Sequence, residues 1–254
     1  MKSLKIQILR MSWAFSSLYW LIFSFNFFLK KMTEQKILTV KPTKFKLWTS
    51  EVLFFKGCFE KQNVFIKLYL HSKKNQRECR ILEYINTMES KLILPTLISD
   101  DVFSGGYFVV LEELTAKSLT TILDKISFEI FDNIIDQFIC ILNEFNQMNL
   151  IHCDITPDNI MITNNNKLII IDFEYSIIKG NRSYQDFSFA ETSVLKSLGG
   201  EHSMPGHVWD DAYSFLSVAK KIVKFNNFNE SDLDKISYKF DLLESQIGVN
   251  YYKN

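Results

Sequence analysis

The apolar positions of this 254-residue chain change their period along its length. From Phe45 they come in short runs rich in β-branched and aromatic residues, which predict strands. Phe45 to Trp48, Val52 to Phe59 and Val64 to Leu70 are three such runs, joined by polar turns at Thr49-Ser50-Glu51 and Glu60-Lys61-Gln62-Asn63. Lys73 to Met88 switches to a helical period, with Cys79, Ile81, Leu82 and Ile85 on one face. Strand character returns at Val109-Val110-Leu111, after the turn signal Gly105-Gly106. A longer amphipathic stretch from Ile130 to Asn149 predicts a helix with Ile134, Ile135, Phe138, Ile141, Leu142 and Phe145 on its inner face.

The N-terminus follows neither pattern. Ser12 to Leu29 carries no charge and several aromatics, between Arg10 and Lys30-Lys31. Roughly 18 uncharged residues lie at the lower limit for crossing a bilayer. Three readings are open. A membrane anchor would have its lysine-rich flank (Lys30, Lys31, Lys36, Lys41) keep the main domain cytoplasmic. A buried or adventitious extension is the second, with Met32 as an alternative start. A signal peptide is the third, although no small-residue cleavage site follows Leu29.

Charge changes the picture little. Lys plus Arg and Asp plus Glu number 29 each, so no global field argues for nucleic acid or an acidic partner. Cys58, Cys79, Cys140 and Cys153 are scattered without metal-ligand spacing, which favours reduced thiols in a cytosol-like compartment.

The densest chemistry lies between Leu150 and Ser176, LIHCDITPDNIMITNNNKLIIIDFEYS. His152-Cys153-Asp154, then Asn159, then Asp172 after an apolar run resemble the catalytic and metal-binding loops of the protein-kinase superfamily. The resemblance implies that Asp154 orients the attacking hydroxyl and accepts its proton, while Asn159 and Asp172 bind the magnesium ions that bridge the ATP phosphates. Val64-Phe65-Ile66-Lys67 is similar to the strand whose lysine reaches the α- and β-phosphates. By itself Lys67 reads as an edge-strand lysine pointing to solvent. Glu78 stands where the family places its partner glutamate, with Glu83 as the alternative and a solvated surface glutamate as the plain reading.

The same resemblance makes Tyr107 to Leu119 the last strand of an N-lobe and the hinge. Leu111 would be the gatekeeper, and Glu112 and Leu114 would offer backbone C=O and N–H groups to adenine. Trp209-Asp210-Asp211-Ala212-Tyr213-Ser214-Phe215 resembles the start of the kinase F-helix. There Asp211 would cap the helix and support the catalytic-loop backbone together with His152. The resemblance spans roughly Phe45 to Lys224. It implies an α+β bilobal kinase-like fold with a minimal helical C-lobe, an apolar segment over residues 1–31, and a kinase-like domain over 43–254, divided into 43–114 and 115–254.

Four departures qualify it. Trp48-Thr49-Ser50-Glu51 replaces a glycine-rich loop, and Gly57 sits inside the next strand. The D-F-G signature becomes Asp172-Phe173-Glu174, which stiffens the segment, and the run IDFEYS is similar to choline kinases and aminoglycoside phosphotransferases. Thr156 stands where protein kinases carry a lysine, and Cys153 replaces the catalytic-loop arginine that pairs with an activation-loop phosphate.

The leading expectation is an ATP- and magnesium-dependent atypical protein Ser/Thr kinase in the cytoplasm. The alternatives are a small-molecule kinase for an amino-alcohol, sugar or antibiotic, in which Asp186 would be comparable to the acidic residue that follows IDFEYS in choline kinases, and a pseudokinase scaffold. Ser183, Tyr184, Ser188, Thr192, Ser193 and Ser197 read as ordinary loop residues before phosphorylation sites, and Lys220-Lys221-Ile222-Val223-Lys224 as a solvated helix face.

Overall fold

The computed structural model describes residues 11–12, 14–15, 18–20, 22–43, 52–70, 76–103, 106–180 and 208–253. The expected strand Phe45–Trp48, the turn replacing the glycine-rich loop, Gly105, Asp186 and the hydroxyl-rich stretch Ser183–Ser197 lie outside them. The chain forms two compact units. One contains residues 1–79 and 95–114, the other 80–94 and 115–254.

The first unit is built on a five-stranded antiparallel sheet in the order β1-β2-β3-β5-β4. Its strands are β1 (Ile37–Pro42), β2 (Val52–Phe59), β3 (Gln62–Tyr69), β4 (Leu97–Phe103) and β5 (Gly106–Glu112). The sequence pattern anticipates β2, β3 and β5. It misses β1, which is exposed or half-buried everywhere but Ile37 and so offers too few apolar positions to register. The β2–β3 turn rests on Glu60 and Lys61, both at positive φ. Two glycines admit close backbone approaches. A Cβ on Gly106 would come within 2.4 Å of the Tyr69 carbonyl, and one on Gly57 within 2.9 Å of Ile37.

One face of this sheet buries Leu53, Phe55, Val64, Ile66, Leu68, Phe108 and Val110, the alternate residues of three strands. Helix α1 (Phe25–Glu34) covers it with Phe28 and Met32, and Trp20 joins the same cluster. Trp20, Phe28, Phe55, Phe103 and Phe108 meet edge-on or tilted, with ring centroids 5.0–6.4 Å apart, the separations that aromatic quadrupoles favour. The uncharged N-terminal stretch therefore supplies part of a protein core. Among the described residues no helix is long and apolar enough to cross a membrane, so the anchor reading finds no support there. Phe15, Tyr19, Ile22, Phe23 and Phe27 of the same stretch remain exposed.

The second unit is mostly helical. Helix α2 (Gln76–Thr87) spans the division between the units, and α3 (Phe128–Gln147), α4 (Asp211–Phe225) and α5 (Glu230–Glu244) follow. All six residues expected on the inner face of α3 are buried. Ser127 starts that helix by accepting from the Ile130 N–H, and Phe138 packs on Phe215 of α4 at 4.4 Å. Short strands complete the unit: β6 (Ala116–Ser118), β8 (Ile160–Thr163) and β9 (Leu168–Ile170) in one sheet, β7 (Leu150–Ile151) with β10 (Ile177–Ile178), and β11 (Val208–Asp210) with β12 (Tyr251–Lys253).

Because Phe28 is fully buried, Phe28→Ala should cost about 3–5 kcal/mol, and a chain starting at Met32 should lose at least as much. Urea unfolding followed by tryptophan fluorescence checks both. Unchanged midpoints would make the N-terminal stretch an ornament and not a layer of the core.

Candidate active site

Two polar constellations form, one in each unit. In the first, strand periodicity puts Lys67 and Tyr69 on the same face of β3, opposite the apolar core residues Ile66 and Leu68. Lys67 Nζ donates to Glu78 Oε1 at 2.7 Å, and the Tyr69 hydroxyl donates to Glu78 Oε2 at 2.9 Å. Glu78 lies in the first turn of α2, where a carboxylate also meets the positive end of the helix. Lys67 is 6% exposed and Glu78 0%, so neither is the solvated surface residue that the plain reading describes. Burying such a pair is costly unless it is well bonded, and here both carboxylate oxygens are engaged. The alternative Glu83 is exposed.

Beside this pair the Tyr107 hydroxyl donates to Asp100 Oδ2 at 2.6 Å and lies 3.0 Å from Cys79 Sγ. Burial and the bond to Asp100 push this phenol far above its usual range. The strand end that leads to the expected hinge is fixed by three bonds. The Glu112 N–H donates to the Thr96 carbonyl, the Thr96 hydroxyl to Glu112 Oε2, both at 2.9 Å, and the Glu113 N–H to the Asn63 carbonyl at 3.1 Å. Leu111, the expected gatekeeper, is buried on β5 opposite Phe65, and Leu114 follows two residues beyond the strand.

The second constellation gathers His152, Asp154, Asn159, Asp172 and Asp211. Asp211 Oδ2 accepts the His152 N–H at 2.6 Å and Oδ1 the Cys153 N–H at 3.1 Å. This geometry corrects one expectation. The cap of α4 is Asp210, whose side chain accepts from the Tyr213 N–H and also from the Gly248 N–H. Asp211 is the first helical residue and is occupied with the loop. Two adjacent aspartates before a helix fit the N-cap rule equally well, and spacing alone does not separate them.

The His152 ring is fully buried, with its face 6.5 Å from Phe145 and Phe173 edge-on at 4.8 Å. Its Nδ1 accepts the Asp154 N–H at 3.3 Å, which places the ring proton on Nε2, 3.1 Å from the Ile171 carbonyl. The imidazole thus ties the loop bearing Asp154 to the strand end bearing Asp172. Cys153 and Asp172 both hold left-handed conformations, φ 67° and 70°, each costing on the order of 1–3 kcal/mol for a residue with a side chain. The Cys153 side chain packs among Ile151, Ile177 and Trp209 as a small apolar group.

Asn159 gives both amide hydrogens to Asp154, one to its carbonyl at 2.9 Å and one to Oδ2 at 2.8 Å. The amide oxygen is thereby directed away from Asp154. An amide oxygen and a carboxylate, as Asn159 and Asp172 carry, are the hard oxygen donors that magnesium takes, so these residue types fit that ion. The Asp154 carboxyl is pushed up to about 7, by burial first and the Asp172 charge second, against the lowering bond from Asn159. The Asp154 side chain keeps partial solvent contact, and the shift comes from the protein packed around the carboxyl itself. A cation held at Asp172 would remove the second cause and leave the first.

Residues 29–188 of the chain match the RIO domain. The chain belongs to the RIO-domain family. This atypical kinase family lies within the protein-kinase superfamily, and the RIO match takes in the second half of α1, β1, and both constellations up to Asp172. The solved structure of the PK-1 kinase of Cydia pomonella granulovirus is similar to this RIO chain, with a TM-score of 0.55 at 18% identity. The alignment covers 82% of this chain and 78% of that one. The likeness establishes a kinase fold, β-rich towards the N-terminus and helical towards the C-terminus. No curated protein sequence matches.

Burial lifts the Asp211 carboxyl from 3.8 to about 7, against the lowering bonds from His152 and Cys153. The folded state then holds a proton that the unfolded chain has released, so this contribution to stability is complete below about pH 4 and disappears as pH rises through 7. In metal-free buffer, Asp211→Asn should flatten the fall in unfolding free energy between those limits. Parallel wild-type and variant curves from denaturant titrations would contradict the assignment.

Proposed function

We propose that this RIO-domain chain is an ATP- and magnesium-dependent phosphotransferase whose acceptor is a serine or threonine hydroxyl of a protein. The observation that carries the reading is the Asn159 amide nitrogen, which donates to both the carbonyl and the carboxylate of Asp154 and closes the loop around it. Support comes also from the family, from the kinase fold and from the Lys67–Glu78 ion pair.

The roles follow from charge and reach. Lys67, neutralised by Glu78 and withdrawn from water, steadies the α- and β-phosphates of ATP. The Glu112 carbonyl and the Leu114 N–H take the adenine edge. Asp172 and the Asn159 oxygen would hold magnesium, which would supply neutralisation of the charge developing on the phosphoryl oxygens. Asp154 orients the acceptor hydroxyl and takes its proton, for which a carboxyl raised towards neutrality suits working pH. His152 and Asp211 hold the loop backbone so that no reorganisation is needed when the hydroxyl arrives.

A small-molecule acceptor is the second reading, favoured by the Asp172-Phe173-Glu174-Tyr175-Ser176 run. The segment after Asp172 turns immediately into a single 3-10 turn, Phe173–Tyr175, without the glycine that gives protein kinases freedom there.

Labelled γ-phosphate transfer by the full chain decides between them. Label in protein acceptors is expected, and label confined to a pool of small hydroxylated amines and sugars would move the assignment to the second reading. Asp154→Ala and Asp172→Ala should each lower turnover by about a hundredfold or more. Nucleotide binding without any transfer would make the chain a scaffold. Phosphatase treatment should leave turnover unchanged, since Cys153 stands where an arginine would read an activation-segment phosphate; lost turnover would contradict this.

A further inference from the structure

We propose that Tyr69 is a positioning residue for the Lys67–Glu78 pair, its hydroxyl fixing the rotation of the Glu78 carboxylate so that Oε1 meets the lysine. The inference rests on the reading of Lys67 as the phosphate-binding lysine. The geometry is that of a fork. Lys67 and Tyr69 are two residues apart on β3, so the strand's period brings both to one face and both side chains to one carboxylate. The terminal torsion of a glutamate is broad and roughly two-fold, so one bond leaves it free to swing. A second donor on the opposite oxygen selects one orientation.

Burial makes the second anchor necessary. Glu78 has no solvent exposure and Tyr69 only 1%, so water does not replace the phenol. Tyr69→Phe keeps the ring and its packing beside Tyr107, 6.2 Å between centroids, and removes only the donor. A hydrogen bond to a charged group is worth more than a neutral one, and its loss is felt at Lys67 through Glu78. Tyr107 supplies the comparison. It is the cross-strand neighbour of Tyr69, equally buried and also bonded to the start of α2, but through Cys79 and not Glu78.

Acylation of Lys67 by sulfosuccinimidyl acetate, followed by peptide mass mapping of the nucleotide-free full chain, tests the proposal without reference to activity. Tyr69→Phe should speed modification of Lys67 by about threefold or more, as a lysine losing its fixed partner becomes available. Tyr107→Phe should change the rate less than about twofold while lowering thermal stability at least as much. In a Glu78→Gln background, Tyr69→Phe should add nothing, because the carboxylate it orients is gone. An unchanged rate in Tyr69→Phe, equal effects of the two tyrosines, or the same increment in both Glu78 backgrounds would overturn the assignment. The phosphotransfer assay on Tyr69→Phe separates the underlying reading. A wild-type chain inert in transfer but behaving as expected in labelling would refute the role given to Lys67 and leave the positioning by Tyr69 standing.

Discussion

A single buried carboxylate fixes the second unit's chemistry. Asp211 accepts two consecutive backbone N–H groups, those of His152 and Cys153, and this can happen only if the chain turns sharply at that point. Cys153 takes a left-handed conformation to allow it. From that turn the rest follows in order. Asp154 emerges next, its own N–H tied back to the His152 ring, and Asn159 closes the loop by bonding both the Asp154 carbonyl and its carboxylate. The backbone strain at Cys153 and Asp172 is held by bonds that each satisfy a buried polar group, the condition under which such strain persists.

The first unit solves a different problem. A lysine on an apolar strand and a glutamate at a helix start are both taken out of water, and the sheet makes this tolerable by dividing its faces. One face is a dry aromatic core covered by α1; the other carries Lys67, Tyr69 and Tyr107 towards Glu78 and Cys79. Period-two alternation keeps the two environments apart along the same strands.

Much of this was legible in the sequence, for reasons that differ by element. Helix α3 announced itself because six apolar residues recur at helical spacing and all of them are buried. Lys67, Glu78, Asp154, Asn159 and Asp172 were found through motif spacing, and the structure brings Lys67 to Glu78 and Asp154 to Asn159. Strand β1 was not legible, since it buries only Ile37 and gains its place from pairing with β2. Nor was the fate of the uncharged N-terminal stretch, where hydropathy does not distinguish lipid from a sheet face as the apolar partner. Tyr69 and Tyr107 carry no signal of their own in the sequence, because tyrosine is an ordinary strand former. The signal available is the Lys-x-Tyr spacing on β3, which puts both side chains on one face of the strand. Asp210 and Asp211 could be told apart only by seeing which one faces the loop.

We propose that the Asn159 oxygen and Asp172 together hold the metal ion of a bound nucleotide. Calorimetric titration of ATP into the full chain, with and without magnesium, tests it most directly for wild type, Asp172→Ala and Asn159→Ala. Magnesium should tighten ATP binding in wild type by about tenfold or more, with that enhancement lost in Asp172→Ala and reduced in Asn159→Ala. An equal magnesium enhancement in all three proteins would contradict the claim.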